Sequence, residues 1–179
     1  MLSEFKPALK FLLVFLGLYV IGNILYGLMV ESFREIPDPV TRVVANQTAN
    51  ILQRFGQPVT TIGNTKGPTV FLKEGDKTIL NIYEGCNGIN VMIVFIAFLV
   101  AFGGAIKKLA WFLPLGIVII HLSNLVRLVL LYFVAINYYS YFYYVHKYIF
   151  TALLYLIVVL LWIVWVGWLN AKPKKTKVP

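Results

Sequence analysis

The chain has 179 residues, of which 60% are hydrophobic and 13% are charged, and its formal net charge is +9. This composition excludes an ordinary soluble domain, in which about half of the residues are apolar. Nucleic-acid binding is not expected either, because the basic residues lie at the ends of apolar runs rather than in one mixed aromatic and basic patch.

Four apolar segments predict an all-α polytopic membrane protein, since each is close to the roughly 20 residues that cross a bilayer. In chain order they cover residues 9–30, 87–106, 109–136 and 148–169. The first segment is longer than the apolar part of a cleaved signal peptide. We therefore predict one membrane-embedded domain over residues 1–179.

Short basic flanks predict the orientation of these helices. Lys6 and Lys10 precede the first helix, Lys107 and Lys108 separate the second and third, and four lysines lie in the tail 170–179. With four spans, all three clusters fall on one side, which the positive-inside rule assigns to the cytoplasm. The sequence thus predicts a multi-pass protein of the cytoplasmic (inner) membrane with a cytoplasmic tail.

Two segments are then extracytoplasmic: residues 31–86, which we call the outer cap, and residues 137–147. Within the outer cap, Asp38 before Pro39 has the pattern of a helix N-cap, and Gly56 is a suitable stop. The helix between them has one apolar face, so we expect it on the membrane surface or against the bundle.

A hairpin is predicted between this helix and the second membrane span. Residues 69–72 and 78–83 have the composition of short strands around Glu74-Gly75-Asp76. The second strand runs directly into Cys86, so the hairpin should deliver this residue to the outer end of the second span.

Cys86 is the single cysteine, which excludes an intramolecular disulfide and leaves a packing residue, an intermolecular partner or a nucleophile. It lies in Glu84-Gly85-Cys86-Asn87-Gly88, where free backbone N–H groups at a helix start favour a thiolate. The glycines allow close approach of another backbone. The alternative is a small apolar residue at a helix start.

Arg127 lies inside the third predicted span, where insertion of an arginine costs at least about 2.5–3.5 kcal/mol. We therefore expect it to face the bundle or a wet cavity, unless it extends to the outer headgroups. Asn124 lies one turn away on nearly the same face. Its amide is expected either to hold the guanidinium or to bond to a neighbouring helix.

The two histidines differ in predicted depth. His146 precedes the fourth span in a tyrosine-rich stretch, at the same outer face as Cys86. Taken alone it would be an interfacial residue. His121 lies about six residues deeper than Arg127 and is expected to be a buried residue that bonds between helices. One cysteine and two histidines at different depths do not form a ligand set, so we expect no metal and no cofactor.

Three distant parts of the chain thus place a thiol, a permanent cation and an imidazole at one membrane face. A cysteine beside a base or a cation is the usual form of an activated thiolate nucleophile. A guanidinium can also stabilise the oxyanion of a tetrahedral intermediate.

The ordered pattern of Glu84-Gly85-Cys86-Asn87-Gly88, then Asn124-Leu125-Val126-Arg127, then His146 resembles the exosortase and archaeosortase family. Length and outer hairpin are most similar to the short exosortase F-type proteins of Bacteroidetes. The resemblance implies a membrane cysteine transpeptidase that works at the outer face of the cytoplasmic membrane. Its partners would be membrane lipids and secreted proteins with a C-terminal sorting signal, which comprises a short motif, a transmembrane helix and a basic cluster.

Carried onto this chain, the resemblance implies that Cys86 attacks the motif and forms a thioester, which passes to an acceptor amine, lipid or glycan. Arg127 would stabilise the thiolate or the oxyanion, and His146 would be the acid and base. Supporting positions are Asn124 and the residues around the cysteine, namely Glu84, Gly85, Asn87 and Gly88.

Two features depart from the family pattern. Asn87 stands where many exosortases have serine, and the chain lacks the additional spans of the longer members, which points to a partner or a different acceptor. Two other classes of function stay open. One is a non-enzymatic assembly or transport subunit, with Arg127 and Asn124 bonding between helices. The other is a different membrane cysteine enzyme, an acyltransferase or a protease.

Overall fold

The computed structural model describes residues 2–169, and side chains for residues 5–167; the predicted tail 170–179 lies outside the described residues. In chain order the elements are α1 (Leu2–Glu31), α2 (Pro39–Arg54), β1 (Val59–Gly63), β2 (Val70–Glu74), β3 (Lys77–Ile82), a 3-10 turn (Glu84–Cys86), α3 (Ile89–Phe102), α4 (Ile106–Asn137), a second 3-10 turn (Tyr139–Tyr141), α5 (Phe142–Tyr144), a π-helical turn (Val145–Ile149), α6 (Phe150–Val164) and a final π-helical turn (Trp165–Leu169).

Within residues 2–169, three helical stretches are long and apolar enough to cross a membrane. They are Phe5–Glu31, Ile106–Asn137 and Tyr139–Gly167, and α3 is a shorter apolar helix beside them. The predicted fold class, an all-α polytopic membrane protein with about four membrane helices and a small outer sheet, is confirmed.

The second membrane helix is shorter than predicted. It begins after Gly88 (φ +85°) and ends at Gly103 (φ +72°), two positions in the left-handed region that glycine adopts readily. Its 14 residues rise about 21 Å, less than the roughly 30 Å of a hydrocarbon core.

The membrane bundle has its own apolar core, formed by α3, α4 and α6. Phe95 of α3 packs against Phe112 of α4, which stacks on Trp165. Helix α1 packs along α3 through Phe11 and Phe15, and its most apolar window contains no buried residue. The remaining surface of α1 is therefore suited to contact with lipid.

Helix α2 has the predicted N-cap. Asp38 Oδ1 accepts hydrogen bonds from the backbone N–H groups of Val40 (2.9 Å) and Thr41 (3.0 Å), and Gly56 follows the helix with φ +80°. Its apolar face packs against α4 and the sheet. We predicted α2 either on the membrane surface or against the bundle, and the structure has it against the bundle.

The predicted hairpin is part of a three-stranded antiparallel sheet of order β1-β2-β3. Strands β2 and β3 form the hairpin, with Val70 opposite Ile82, and Gly75 in the turn has φ +57°. Strand β1, which the sequence did not predict, pairs with the other edge of β2. Strand β3 leads into the Glu84–Cys86 turn, as expected.

The outer cap and the outer half of α4 share one hydrophobic core. This cluster joins apolar residues of α2 and the sheet to the cysteine and to α4, and includes Val44, Leu52, Leu72, Ile82, Cys86, Leu125, Leu128, Leu131 and Tyr132. Cys86 therefore lies at the junction between the cap and the membrane bundle.

The segment before the fourth span is helical rather than a loop. We predicted a loop over residues 137–147 and a helix start at residue 148. Both predictions are wrong, because helical turns follow one another from Tyr139. His146 consequently lies within the π-helical turn Val145–Ile149, not ahead of the helix. A π-helical turn adds a residue to the helical register and frequently occurs at functional sites.

Because α4 is long and apolar enough to cross the membrane, its two ends should lie on opposite sides of the membrane. Reporter fusions after Lys108 and after Tyr139 should therefore give opposite activities, with cytoplasmic signal at Lys108 and extracytoplasmic signal at Tyr139. Alkaline phosphatase and a fluorescent protein provide the paired readouts. The same side for both fusions would contradict the orientation and the outer location of the cap.

Candidate active site

The structure brings together the three side chains that the sequence singled out for chemistry. Cys86 Sγ lies 3.9 Å from His146 Nε2, and Arg127 Nη2 lies 3.2 Å from the same nitrogen. The turn after β3 supplies the thiol, α4 the guanidinium and the π-helical turn the imidazole.

Asn124 connects the guanidinium to the cysteine backbone. Arg127 Nη1 donates to Asn124 Oδ1 (3.3 Å), and Asn124 Nδ2 donates to the carbonyl oxygen of Cys86 (2.8 Å). The amide therefore makes both contacts that the sequence offered as alternatives. Because Asn124 is fully buried, these bonds fix the distance between α4 and the cysteine turn.

Arg127 is 8% exposed and is held by neutral groups. Among the described residues no carboxylate forms an ion pair with it, and its Nε is buried without a hydrogen-bond partner. A buried cation without a counterion has a strong attraction for any negative charge that develops nearby. The sequence expectation that this residue faces the interior is met.

The contact with Arg127 determines which ring nitrogen of neutral His146 carries the proton. A guanidinium carries only donors, so His146 Nε2 must present its lone pair, and the neutral ring carries its proton on Nδ1. The same lone pair lies within reach of the Cys86 thiol. The ring also stacks on Phe142, with 5.8 Å between centroids, which fixes its plane.

The Cys86 thiol is 3% exposed, and burial raises its pKa above the ordinary value. The positive charge of Arg127 and hydrogen bonding from Tyr83 lower this pKa, but the cost of burying a thiolate outweighs them. Cys86 lies in a separate 3-10 turn before α3, so the prediction that a helix start favours its thiolate stays a prediction. At neutral pH the thiol is protonated and requires a base.

The Asn87 side chain stabilises the Glu84–Cys86 turn through three hydrogen bonds. Its Oδ1 accepts from the backbone N–H of Ile89 (3.0 Å), and its Nδ2 donates to Tyr26 Oη (2.7 Å) and Thr41 Oγ1 (3.1 Å). Tyr26 belongs to α1 and Thr41 to α2, so three elements meet at this amide. Neither partner was predicted, because contacts across 61 and 46 residues leave no local sequence pattern.

Side chains lie close to both glycines near the cysteine. A Cβ at Gly85 would overlap the ring of Tyr83, and a Cβ at Gly88 would lie 3.3 Å from Asn124 Cγ on a backbone with φ +85°. The groups that approach these two positions are therefore side chains, whereas the sequence predicted close approach of another backbone.

Glu84 supports the turn through its backbone rather than its carboxylate. Its carbonyl oxygen accepts from Tyr26 Oη (3.3 Å), whereas its Oε2 is buried without a partner. The negative charge of Glu84 raises the pKa of the Cys86 thiol, so the carboxylate opposes a thiolate.

His121 lies outside this cluster. Its Nε2 is 2.8 Å from Oε1 of Gln47, which belongs to α2. The imidazole therefore bonds between helices α2 and α4, as the sequence predicts, but it is half-buried rather than buried as expected. Of the two histidines, His146 is the one beside the thiol.

Comparison with known proteins identifies the chain. A family model described as transmembrane exosortase (Exosortase_EpsH) matches residues 6–163, most of the chain, including all three clustered side chains. No curated protein and no solved structure matches. The helices long enough to cross a membrane agree with that description. The chain is a multi-pass membrane protein that belongs to the transmembrane exosortase family.

Proposed function

We propose that this protein is a cysteine transpeptidase that cleaves C-terminal sorting signals of secreted proteins at the outer face of the cytoplasmic membrane. The observation that carries the proposal is the contact of one imidazole nitrogen with both the single thiol and a guanidinium that has no counterion among the described residues. This is the arrangement of nucleophile, base and cation that acyl transfer requires. Membership of the exosortase family supports the same reaction class.

In the first step the Cys86 thiol gives its proton to His146 Nε2 as Sγ bonds to the scissile carbonyl carbon. Because burial raises the pKa of the thiol, this transfer occurs with attack rather than before it. The amide C–N bond then breaks, and the leaving amine takes the proton from His146. A thioester on Cys86 remains.

Arg127 acts on the charge that forms during attack. Its guanidinium is already desolvated and has no counterion in the part of the chain that the structure describes, so it needs little reorganisation to donate to the thiolate or the oxyanion that forms. When Arg127 Nη2 turns from His146 towards the carbonyl oxygen of the bound substrate, the lone pair of His146 is released to accept the thiol proton as Sγ attacks. Asn124 keeps the guanidinium in position through this exchange.

The second step transfers the acyl group to an acceptor. An amine, or a hydroxyl of a lipid or glycan, attacks the thioester with His146 as base, and the thiol is restored. Burial of Cys86 keeps bulk water away from the thioester, which favours transfer over hydrolysis.

We also propose that the chain belongs to the short F-type subgroup of exosortases.

The nucleophile is tested by substitution. Cys86→Ala should abolish processing of a reporter with a C-terminal sorting tail, and Cys86→Ser should lose at least about 100-fold, because a buried hydroxyl is far harder to deprotonate than a thiol. Processing is followed as loss of the tail on gels. Full processing by Cys86→Ala would end the transpeptidase proposal and favour an assembly subunit.

Substitution of Arg127 by lysine separates the effect of its positive charge from the effect of its planar shape. Arg127→Lys should also lose activity by about 100-fold, since lysine keeps the charge but not the planar fork that reaches both Asn124 and His146. Arg34→Lys is the matched control, because Arg34 is exposed and pairs with Glu31. Equal activity of the two lysine variants would contradict the role of Arg127.

The pH dependence of thiol alkylation tests the electrostatics without a substrate. Arg127 lowers the pKa of Cys86, so Arg127→Gln should raise it, and the alkylation profile should move to higher pH. Because the chain has one cysteine, the small alkylating reagent iodoacetamide reports on Cys86 alone. Arg34→Gln should leave the profile unchanged. An unchanged profile in Arg127→Gln would show that the guanidinium does not act on the thiol.

A further inference from the structure

The proposed reaction leaves Tyr83 unused, although this residue lies directly before the cysteine turn. Tyr83 is the N-cap of the Glu84–Cys86 turn and has an extended backbone (φ −130°, ψ 176°). Its carbonyl oxygen accepts a hydrogen bond from the backbone N–H of Cys86 (2.7 Å). Tyr83 is 40% exposed, whereas Cys86 is 3% exposed. The tyrosine therefore connects the buried cysteine to the surface of the outer cap.

The Tyr83 ring folds back over the turn instead of extending away from it. Its Cε2 would overlap a Cβ placed on Gly85, and its Cζ lies 3.2 Å from the position of that Cβ. Because Cζ carries the hydroxyl group, the hydroxyl lies beside the turn, next to the residue that precedes Cys86. The absence of a side chain at Gly85 leaves the room that this ring position requires.

Hydrogen bonds from the backbone and the side chain of Tyr83 reach the Cys86 thiol. Burial raises the pKa of this thiol most strongly, Arg127 and then the two Tyr83 bonds lower it, and the charge of Glu84 raises it. Tyr83 is thus one of two residues that favour a negative charge on the sulfur.

The Tyr83 hydroxyl keeps its proton at neutral pH. The negative charge of a Cys86 thiolate, burial and the bond to Cys86 raise the pKa of the phenol, Arg127 lowers it, and Glu84 raises it further. A protonated phenol is a hydrogen-bond donor. The hydroxyl therefore remains a donor when the sulfur becomes negative.

We propose that Tyr83 is a further catalytic residue, whose hydroxyl donates to Cys86 Sγ and stabilises the negative charge on the sulfur in both steps of the reaction. This inference rests on the proposed function, because it adds a group to that reaction. The thiol proton passes to His146 during attack, and the acceptor's proton reaches the sulfur through His146 when the acceptor displaces it. Tyr83 keeps its own proton throughout and contributes a hydrogen bond alone.

The first test measures the rate of alkylation of Cys86 by iodoacetamide against pH, which requires no substrate. Tyr83→Phe keeps the ring and removes the hydroxyl, so the profile should move to higher pH, because the thiolate loses a donor. Tyr138→Phe is the matched control, since Tyr138 is an exposed residue at the end of α4, and its profile should not move. An unchanged profile in Tyr83→Phe overturns the inference.

Gly85→Ala is a second variant, which displaces the hydroxyl while Tyr83 remains. The added methyl group overlaps the Tyr83 ring, so this variant should also move the alkylation profile to higher pH. Combined with Tyr83→Phe it should add little, because both changes remove the same hydrogen bond. Additive movements, or an unchanged profile in Gly85→Ala alone, would overturn the inference even where Tyr83→Phe does not fold.

The second test measures processing of the reporter with a C-terminal sorting tail. The kcat of Tyr83→Phe should fall about tenfold with little change in KM, since the lost hydrogen bond acts on charge that develops during reaction. Tyr138→Phe should keep the kcat of the unaltered chain. Full kcat in Tyr83→Phe would show that Tyr83 is not catalytic and would leave the proposed function standing. Absence of processing by the unaltered chain would overturn that function and this inference with it.

Discussion

One buried positive charge organises the candidate site. Arg127 lies inside a membrane protein with neutral partners, and a cation in that position is tolerated only where dipoles or a developing anion surround it. Asn124 and His146 supply the dipoles, and each also reaches Cys86, one through its backbone and one through its sulfur. The groups that hold the charge are therefore the same groups that position the thiol.

Burial and activation act against each other at this thiol. The same packing that joins the cap to α4 removes Cys86 from solvent and raises the pKa of its thiol, which is therefore protonated at neutral pH. In the proposed reaction, the neutral ring of His146, with its lone pair at Nε2, offers a route for the proton that does not depend on a free thiolate. We expect this arrangement to favour reaction with a docked carbonyl over reaction with solutes from bulk water.

Patterns of neighbouring residues predicted the elements, whereas long-range contacts stayed hidden. Hydropathy gave the membrane helices, and Asp38-Pro39 gave the start of α2, because both signals are local. Strand β1 was missed, since Val59–Gly63 is short and has no strong alternation of apolar residues. The Tyr26 and Thr41 contacts to Asn87 depend on how α1 and α2 pack, and the raised pKa of Cys86 depends on burial. Neither these contacts nor the burial of Cys86 leaves a pattern at a fixed spacing in the sequence.

The proposed reaction requires Cys86 to form a covalent bond with the carbonyl carbon of a sorting signal. Peptide mass spectrometry of the protein, quenched in acid during turnover of the tail-bearing reporter, detects this bond. We expect an adduct on the peptide that contains Cys86, with the mass of the upstream substrate fragment, and its release by hydroxylamine as for a thioester. Processing of the reporter while Cys86 remains unmodified, and while hydroxylamine releases nothing, would contradict it.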